Sequence, residues 1–286
     1  LFSFFWNAIL PQFEVITLFT LGRKRDRYSR IRLWGSIGFI LSVVIMGWLF
    51  DLIGIFLFPV SLLMIIAAIF LASWFKFYEP KATIFEHENV SGLWQQLRKR
   101  DAQLFFLACF LLQASHGAYY TYFSIFLESI GYEKNQIGWL WGLGVIAEVV
   151  LFVFMHRWFA RHSIKTIMLI SLLLTGIRWC LTAYYADFVW VLISSQCLHA
   201  LSFGSMHAAA IKFVHLNFNG QSQGRAQALY SSLSFGLGGA VGAFLSGLIV
   251  VKSNYEITFM ASAVMALLAA GVVALFRSRL NITLHT

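Results

Sequence analysis

Residues 166–186 read TIMLISLLLTGIRWCLTAYYA, 21 positions that hold one charge, Arg178. About 20 predominantly apolar residues carry a helix across a bilayer. A barrel strand facing lipid would alternate with period two, and this run does not. It is therefore read as a membrane-spanning helix. A charge at the bilayer centre costs roughly 2.5–3.5 kcal/mol on insertion scales, so a side chain such as Arg178 is kept there for a function or for a partner.

Eight runs of the same kind surround it, near residues 1–21, 33–50, 53–75, 103–127, 137–159, 188–212, 227–251 and 255–276, which makes nine candidate spans. The composition agrees. Of 286 residues, 59% are apolar and 12% charged, where a soluble domain has about 45–50% and about 25%. Too little polar surface remains to cover a water-soluble globule, which excludes soluble enzymes, secreted disulfide scaffolds and disordered chains. Cys109, Cys180 and Cys197 are odd in number and lie inside apolar runs, so they read as small buried hydrophobes. The expected class is all-α and transmembrane.

Lys and Arg set the orientation, because basic residues concentrate in cytoplasmic links. Arg23, Lys24, Arg25, Arg27 and Arg30 follow the first run, and Lys76, Lys81, Arg98, Lys99 and Arg100 follow the third. Arg157, Arg161 and Lys165 follow the fifth, Arg225 the seventh, and Arg277 with Arg279 the ninth; the alternate links hold only Lys134 and Lys252. Leu1 is thus expected outside and the C-terminus in the cytoplasm, in a multi-pass protein of the inner (plasma) membrane. The net charge of +9 is spread in short bursts rather than over one face, so nucleic acid is excluded as a partner.

The link 76–102 is the longest and most polar, and it divides the runs into three and six. Transporters built from three-helix repeats pair those repeats into six-helix halves. On that plan residues 1–75 are the second part of an N-terminal six-helix bundle, 76–102 a cytoplasmic linker and 103–286 the C-terminal bundle. The nine runs then correspond to helices 4–12 of twelve. A start at Leu1 without a charged leader region fits a fragment.

Four charges stand out within the membrane region: Glu14, Arg32, Glu148 and Arg178. Glu14 and Arg32 are equidistant from Arg23, and Glu148 and Arg178 from Ser163. In an antiparallel hairpin, residues equidistant from the turn lie at about the same depth, so each acid can meet its arginine. One reading is a structural ion pair in each half. The other is a central site where an arginine holds an anionic or hydroxylated solute bidentately and a carboxylate carries a proton. His199 reads either as an interhelical contact or as a contact to solute or proton. Gln113, His116, Tyr119 and Tyr120 form a polar and aromatic stripe, suited to stacking an aromatic solute or to an interfacial belt.

Other motifs are set aside. The step from His199 to His207 turns a helix by about 80°, and no HExxH or CxxC occurs, so no metal or other cofactor is expected. The run from Gly236 to Gly242 lacks the strand and the acidic residue of a dinucleotide loop. Gly238 and Gly242, four apart, are expected to let helices pack closely.

Four segments carry a resemblance: YSRIRLWGSIGF at 28–39, LQASHGAYY at 112–120, LGVIAEV at 143–149 and LHALSFG at 198–204. Together they are similar to the 3-phenylpropionic acid transporter family, a major facilitator branch close to lactose permease and the oligosaccharide:proton symporters. The resemblance runs over nearly the whole chain and implies the major facilitator fold. It implies substrate-binding roles for Glu14 and Arg32 on helices 4 and 5, Glu148 on helix 8, Arg178 on helix 9 and His199 on helix 10. One turn after that histidine, where the permease has a proton-handling carboxylate, this sequence has Ser202, and the acidic residues of helix 7 are absent. Proton coupling is then expected on Glu148 or Glu14. The implied activity is proton-coupled symport of a small organic solute by alternating access. An aromatic acid such as 3-phenylpropionate is expected, with a sugar or nucleoside as second choice. The protein is expected to work as a monomer and not as an enzyme. A reading of another class is a truncated relic or receptor-like membrane protein that transports nothing.

Overall fold

The structure is a computed structural model that describes residues 28–74, 91–218 and 221–277. The described elements are all helical: α1 Tyr28–Ile53, α2 Leu57–Trp74, α3 Ser91–Leu97, α4 Arg100–Ser115, α5 Gly117–Ser129, α6 Lys134–Arg161, α7 Ile164–Tyr185, α8 Val189–His199, α9 Ser205–Asn217, α10 Gln221–Ser231, α11 Gly239–Lys252 and α12 Tyr255–Ala274. Two π-helical turns, Ala200–Gly204 and Ser232–Gly238, join α8 to α9 and α10 to α11. Among the described residues, six helical stretches are long and apolar enough to cross a membrane: Leu33–Ile53, Lys134–Met155, Ile164–Tyr185, Val189–Asn217, Ser222–Lys252 and Tyr255–Ala274. Leu57–Ala72 is apolar but shorter. The run 103–127 is broken at His116, which ends α4 and starts α5. The run 1–21, with Glu14, lies outside the described residues.

The chain divides into two compact units, Leu1–His87 with Glu133–Gly142, and Glu88–Tyr132 with Leu143–Thr286. In the first, α1 ends at Gly54, whose φ of 103° is the left-handed conformation of a helix stop. The Asp51 carboxylate accepts from the backbone N–H groups of Lys134 and Asn135 at 3.0 and 2.7 Å. A carboxylate there satisfies orphan amides and complements the helix dipole at the start of α6. Gly47 and Gly138 let the two backbones meet. A methyl at Gly47 would lie 2.6 Å from the Lys134 carbonyl oxygen, and one at Gly138 would collide with that of Val43.

The second unit has its apolar core among α4, α7, α9 and α12. Phe105 stacks on Phe213 with ring centroids 4.1 Å apart, and Ile167, Met168, Leu172 and Val273 close around them. Ser163 caps α7 through the Thr166 N–H at 3.1 Å, and Asn254 caps α12 through the Ile257 N–H at 2.9 Å. The anticipated close approach at Gly238 and Gly242 is present. A methyl at Gly238 would sit 2.8 Å from the Phe110 carbonyl oxygen, and one at Gly242 would strike the Ala114 backbone. Gly117, just after the break at His116, meets the Gly242 backbone in the same seam.

The helix α7 shows how such a sequence is sorted. Ser171, Thr175, Arg178 and Thr182 are buried, while Leu173, Ile177 and Tyr184 are exposed. The buried set steps by four, three and four residues, one face of a helix. Each hydroxyl on that face bonds the carbonyl one turn back: Ser171 to Ile167, Thr175 to Ser171, Thr182 to Arg178. Polar side chains point inward because lipid, not water, lies outside.

Candidate functional site

Arg178 has no exposed surface. Its Nε donates to the Ser195 carbonyl at 3.0 Å, Nη1 to His199 Nδ1 at 3.0 Å and Nη2 to Gln196 Oε1 at 3.4 Å. The guanidinium carbon lies 4.3 Å from the Tyr119 ring centroid and 4.5 Å from that of Trp179. Guanidinium stacks well on aromatic faces. Ser195, Gln196 and His199 fall on one face of α8, which is why one arginine from α7 reaches all three. The hydrogen-bond acceptors of Arg178 among the described residues are neutral, and the rings and dipoles around it hold its charge.

The donors fix the state of their partners. A guanidinium only donates, so His199 Nδ1 accepts and its proton sits on Nε2. His116 Nδ1 lies 2.9 Å from the Leu112 carbonyl oxygen, which only accepts, so the His116 proton is on Nδ1 and Nε2 carries a lone pair. Tyr119 donates its hydroxyl to Gln196 Oε1 at 2.8 Å, so that oxygen accepts twice and the amide NH2 points away. His116 Nε2 and Gln196 Nε2 are both buried and have no partner among the described residues. One acceptor and one donor are therefore unspent beside a cation.

Rings enclose this group. Trp179 meets His116 edge-on at 5.0 Å and donates its indole N–H to Ser115 Oγ at 3.3 Å. His199 stacks on Phe203 at 5.1 Å and an interplanar angle of 8°, and Phe203 in turn faces His207 at 6.3 Å and 5°. Phe203 belongs to the π turn, a feature common at functional sites. On α6, a methyl at Gly144 would come 3.3 Å from Gln196 Oε1, and one at Gly204 would come 3.0 Å from Glu148 Cγ. The absence of side chains at these glycines lets α6 lie against the group, with Glu148 half-buried opposite Gly204.

Of the residues singled out in the sequence, the structure brings together His116, Tyr119, Arg178 and His199. Tyr120 is at the edge, its ring 5.5 Å from that of Tyr119 and 6.0 Å from that of His116. Gln113 is buried on α4 and packs its Cβ and Cγ against Gly238 and Gly239. Glu148 shares the unit and contacts the π turn. Arg32 falls on α1, in the other unit. Gln196, Ser195, Trp179 and Phe203 are additions. Gln196 had a signal, since it stands three residues before His199 and so on the same face of a helix.

Stacked apolar helices around one buried cation and its rings describe a multi-pass membrane protein with a polar centre, the architecture of solute transporters. The chain belongs to the MFS_1 like family of the major facilitator superfamily, a family of transporters rather than enzymes, whose family model matches residues 1–261. It is 28% identical over 238 residues to the probable 3-phenylpropionic acid transporter of Escherichia coli (strain K12), covering 82% of this chain and 62% of that protein. It is 27% identical over 241 residues to the maltose permease of Geobacillus stearothermophilus, covering 83% of this chain and 60% of that one. The chain thus spans about three fifths of the length of these relatives. Its fold matches the crystal structure of the nucleoside transporter NupG with a TM-score of 0.73 at 20% identity, over 92% of this chain and 71% of that one.

Proposed function

We propose that this chain is part of a proton-coupled secondary transporter for a small aromatic carboxylate, working by alternating access between two six-helix halves. The observation that carries the reading is Arg178, a buried guanidinium whose hydrogen-bond acceptors are neutral and whose neighbours are rings. A carboxylate accepts two parallel N–H bonds from such a fork, and an aryl group fits Tyr119, Trp179, His116 and Phe203. The relative described as a 3-phenylpropionic acid transporter supports the same solute class.

Glu148 is the proposed proton carrier, with Glu14 as its counterpart in the other half and Arg32 as a second substrate contact. A protonated Glu148 leaves Arg178 free for the solute's carboxylate. Once it loses its proton, its own carboxylate, level with Arg178, competes for the guanidinium and helps to release the solute. His199 and Gln196 hold Arg178 in place between these states. Gln113 and Tyr120 complete the wall. The unit of function is a monomer in the inner membrane with its C-terminus in the cytoplasm. In the bundle arrangement proposed, residues 1–75 belong to one half, 76–102 to the linker and 103–286 to the other half.

A sugar or nucleoside is the second reading, favoured by the unspent His116 Nε2 and Gln196 Nε2, which suit hydroxyl groups. Uptake of labelled 3-phenylpropionate by cells making the protein separates them. Uptake that collapses on adding an uncoupler, and that is lost in Glu148→Gln, is expected. Uptake indifferent to the uncoupler contradicts symport, and uptake of labelled maltose or uridine in place of the acid selects the second reading.

A further inference from the structure

Away from the polar centre, the second unit has a cavity of about 240 Å³ lined chiefly by Gln96, Lys99, Arg100, Asp101, Asn217 and Arg277. Three cations face one carboxylate. Asp101 accepts from the Arg277 backbone N–H at 3.1 Å, which ties the end of α12 to the start of α4 and draws the third cation to the other two. No side chain caps the start of α4, so its orphan amides add to the positive potential. Gln96 Oε1 is buried and has no hydrogen-bond partner among the described residues. Turned by 180°, the same amide presents an NH2 donor there.

The surroundings fix the level of this cavity. Leu93 and Leu97 of α3 pack into the core, while Trp94 between them is 62% exposed. Tryptophan in that position marks the membrane–water interface. Leu107, seven residues into α4 from Arg100, is 46% exposed, about 10 Å deeper at 1.5 Å per residue. The cavity therefore opens where headgroups lie, with acyl chains a turn or two below it. Basic pockets between membrane helices on the cytoplasmic side hold anionic headgroups.

We propose that this cavity binds the phosphodiester headgroup of an anionic phospholipid, which clamps the start of α4 to the ends of α9 and α12. The inference does not depend on the solute carried. Its test is native mass spectrometry of the full purified chain, offered phosphatidylglycerol or phosphatidylcholine. Phosphatidylglycerol should be retained in preference, and retention should weaken about fivefold for each charge removed in Arg100→Gln and Arg277→Gln. Arg98→Gln removes the same charge from the same link but off the cavity, and should leave retention unchanged. Equal retention of the two lipids overturns the proposal, as does an equal loss in Arg98→Gln. Millimolar inorganic phosphate should not displace the lipid; if it does, the cavity is a free-anion site instead. Where a variant does not fold, wild-type chain read at low and high salt decides, since an ionic contact loosens with salt and a salt-insensitive preference contradicts it.

Discussion

The seam at Gly117 and Gly242 and the centre at Arg178 are both buried and both join helices, by opposite means. In the seam no side chain intervenes, and backbone touches backbone across α5 and α11. At the centre side chains make the join: one guanidinium, an amide, two imidazoles and several rings, with the Ser195 carbonyl as a backbone acceptor. In lipid there is no hydrophobic force between helices, so packing and interhelical hydrogen bonds carry association. The seam supplies the first and cannot change without moving two backbones. The centre supplies the second, and in the function proposed above its bonds are exchanged for those of a solute. The contrast predicts that damage to the seam removes the protein, whereas damage to the centre removes its activity and spares the fold.

Gly242→Leu should do most harm. The Ala114 backbone occupies the space of the new side chain, and overpacking of this kind costs about 3 kcal/mol. A sharp fall in folded yield and melting temperature in detergent is expected; a variant that melts with the wild type would mean that the seam yields easily. Arg178→Gln comes next. Loss of a buried charge from a hydrogen-bonded pairing with solute costs about 2–5 kcal/mol, at least roughly 30-fold in affinity for an anion. Melting should fall by a few degrees and less than in Gly242→Leu, because the Ser195 carbonyl, His199 Nδ1 and Gln196 Oε1 lose a donor but no unpaired ion is left behind. Tyr119→Phe keeps the ring and deletes the bond to Gln196, worth about 1 kcal/mol. A solute affinity roughly fivefold weaker is expected, read by titration, and an unchanged affinity would place Gln196 outside the site. Asp51→Ala, in the other unit, removes a cap worth about 1 kcal/mol. A drop of a few degrees in melting temperature with solute affinity intact separates this contact from both.

Much of the fold could be read from the sequence, because in a membrane the length of an apolar run is itself the structural signal. Thr166 to Ala186 is read as a span, and α7 fills it from Ile164 to Tyr185. The Gly238 and Gly242 spacing likewise announces its close packing. The break at His116 is invisible in the run 103–127, where apolar residues continue on both sides of it. So are the two π turns, whose residues have the composition of ordinary helix. The site divides along the same line. Arg178 stands out by its desolvation cost, and His199 by its place in an apolar run. Gln196 does not, since an uncharged amide is cheap enough to pass for a packing residue. Equidistance from Ser163 sets Glu148 and Arg178 at one depth, but depth carries no information about rotation. Rotation is what turns the guanidinium toward Ser195, Gln196 and His199, and Glu148 toward Gly204.

The central claim is that Arg178 reads the charge of an aromatic solute. Binding of 3-phenylpropionate and of its neutral amide to the purified chain, by calorimetry in wild type and in Arg178→Gln, tests it most directly. The account predicts that the wild type prefers the acid by roughly 30-fold or more and that the variant binds the two alike. Equal affinity for acid and amide in the wild type, or a preference that survives in the variant, would contradict it.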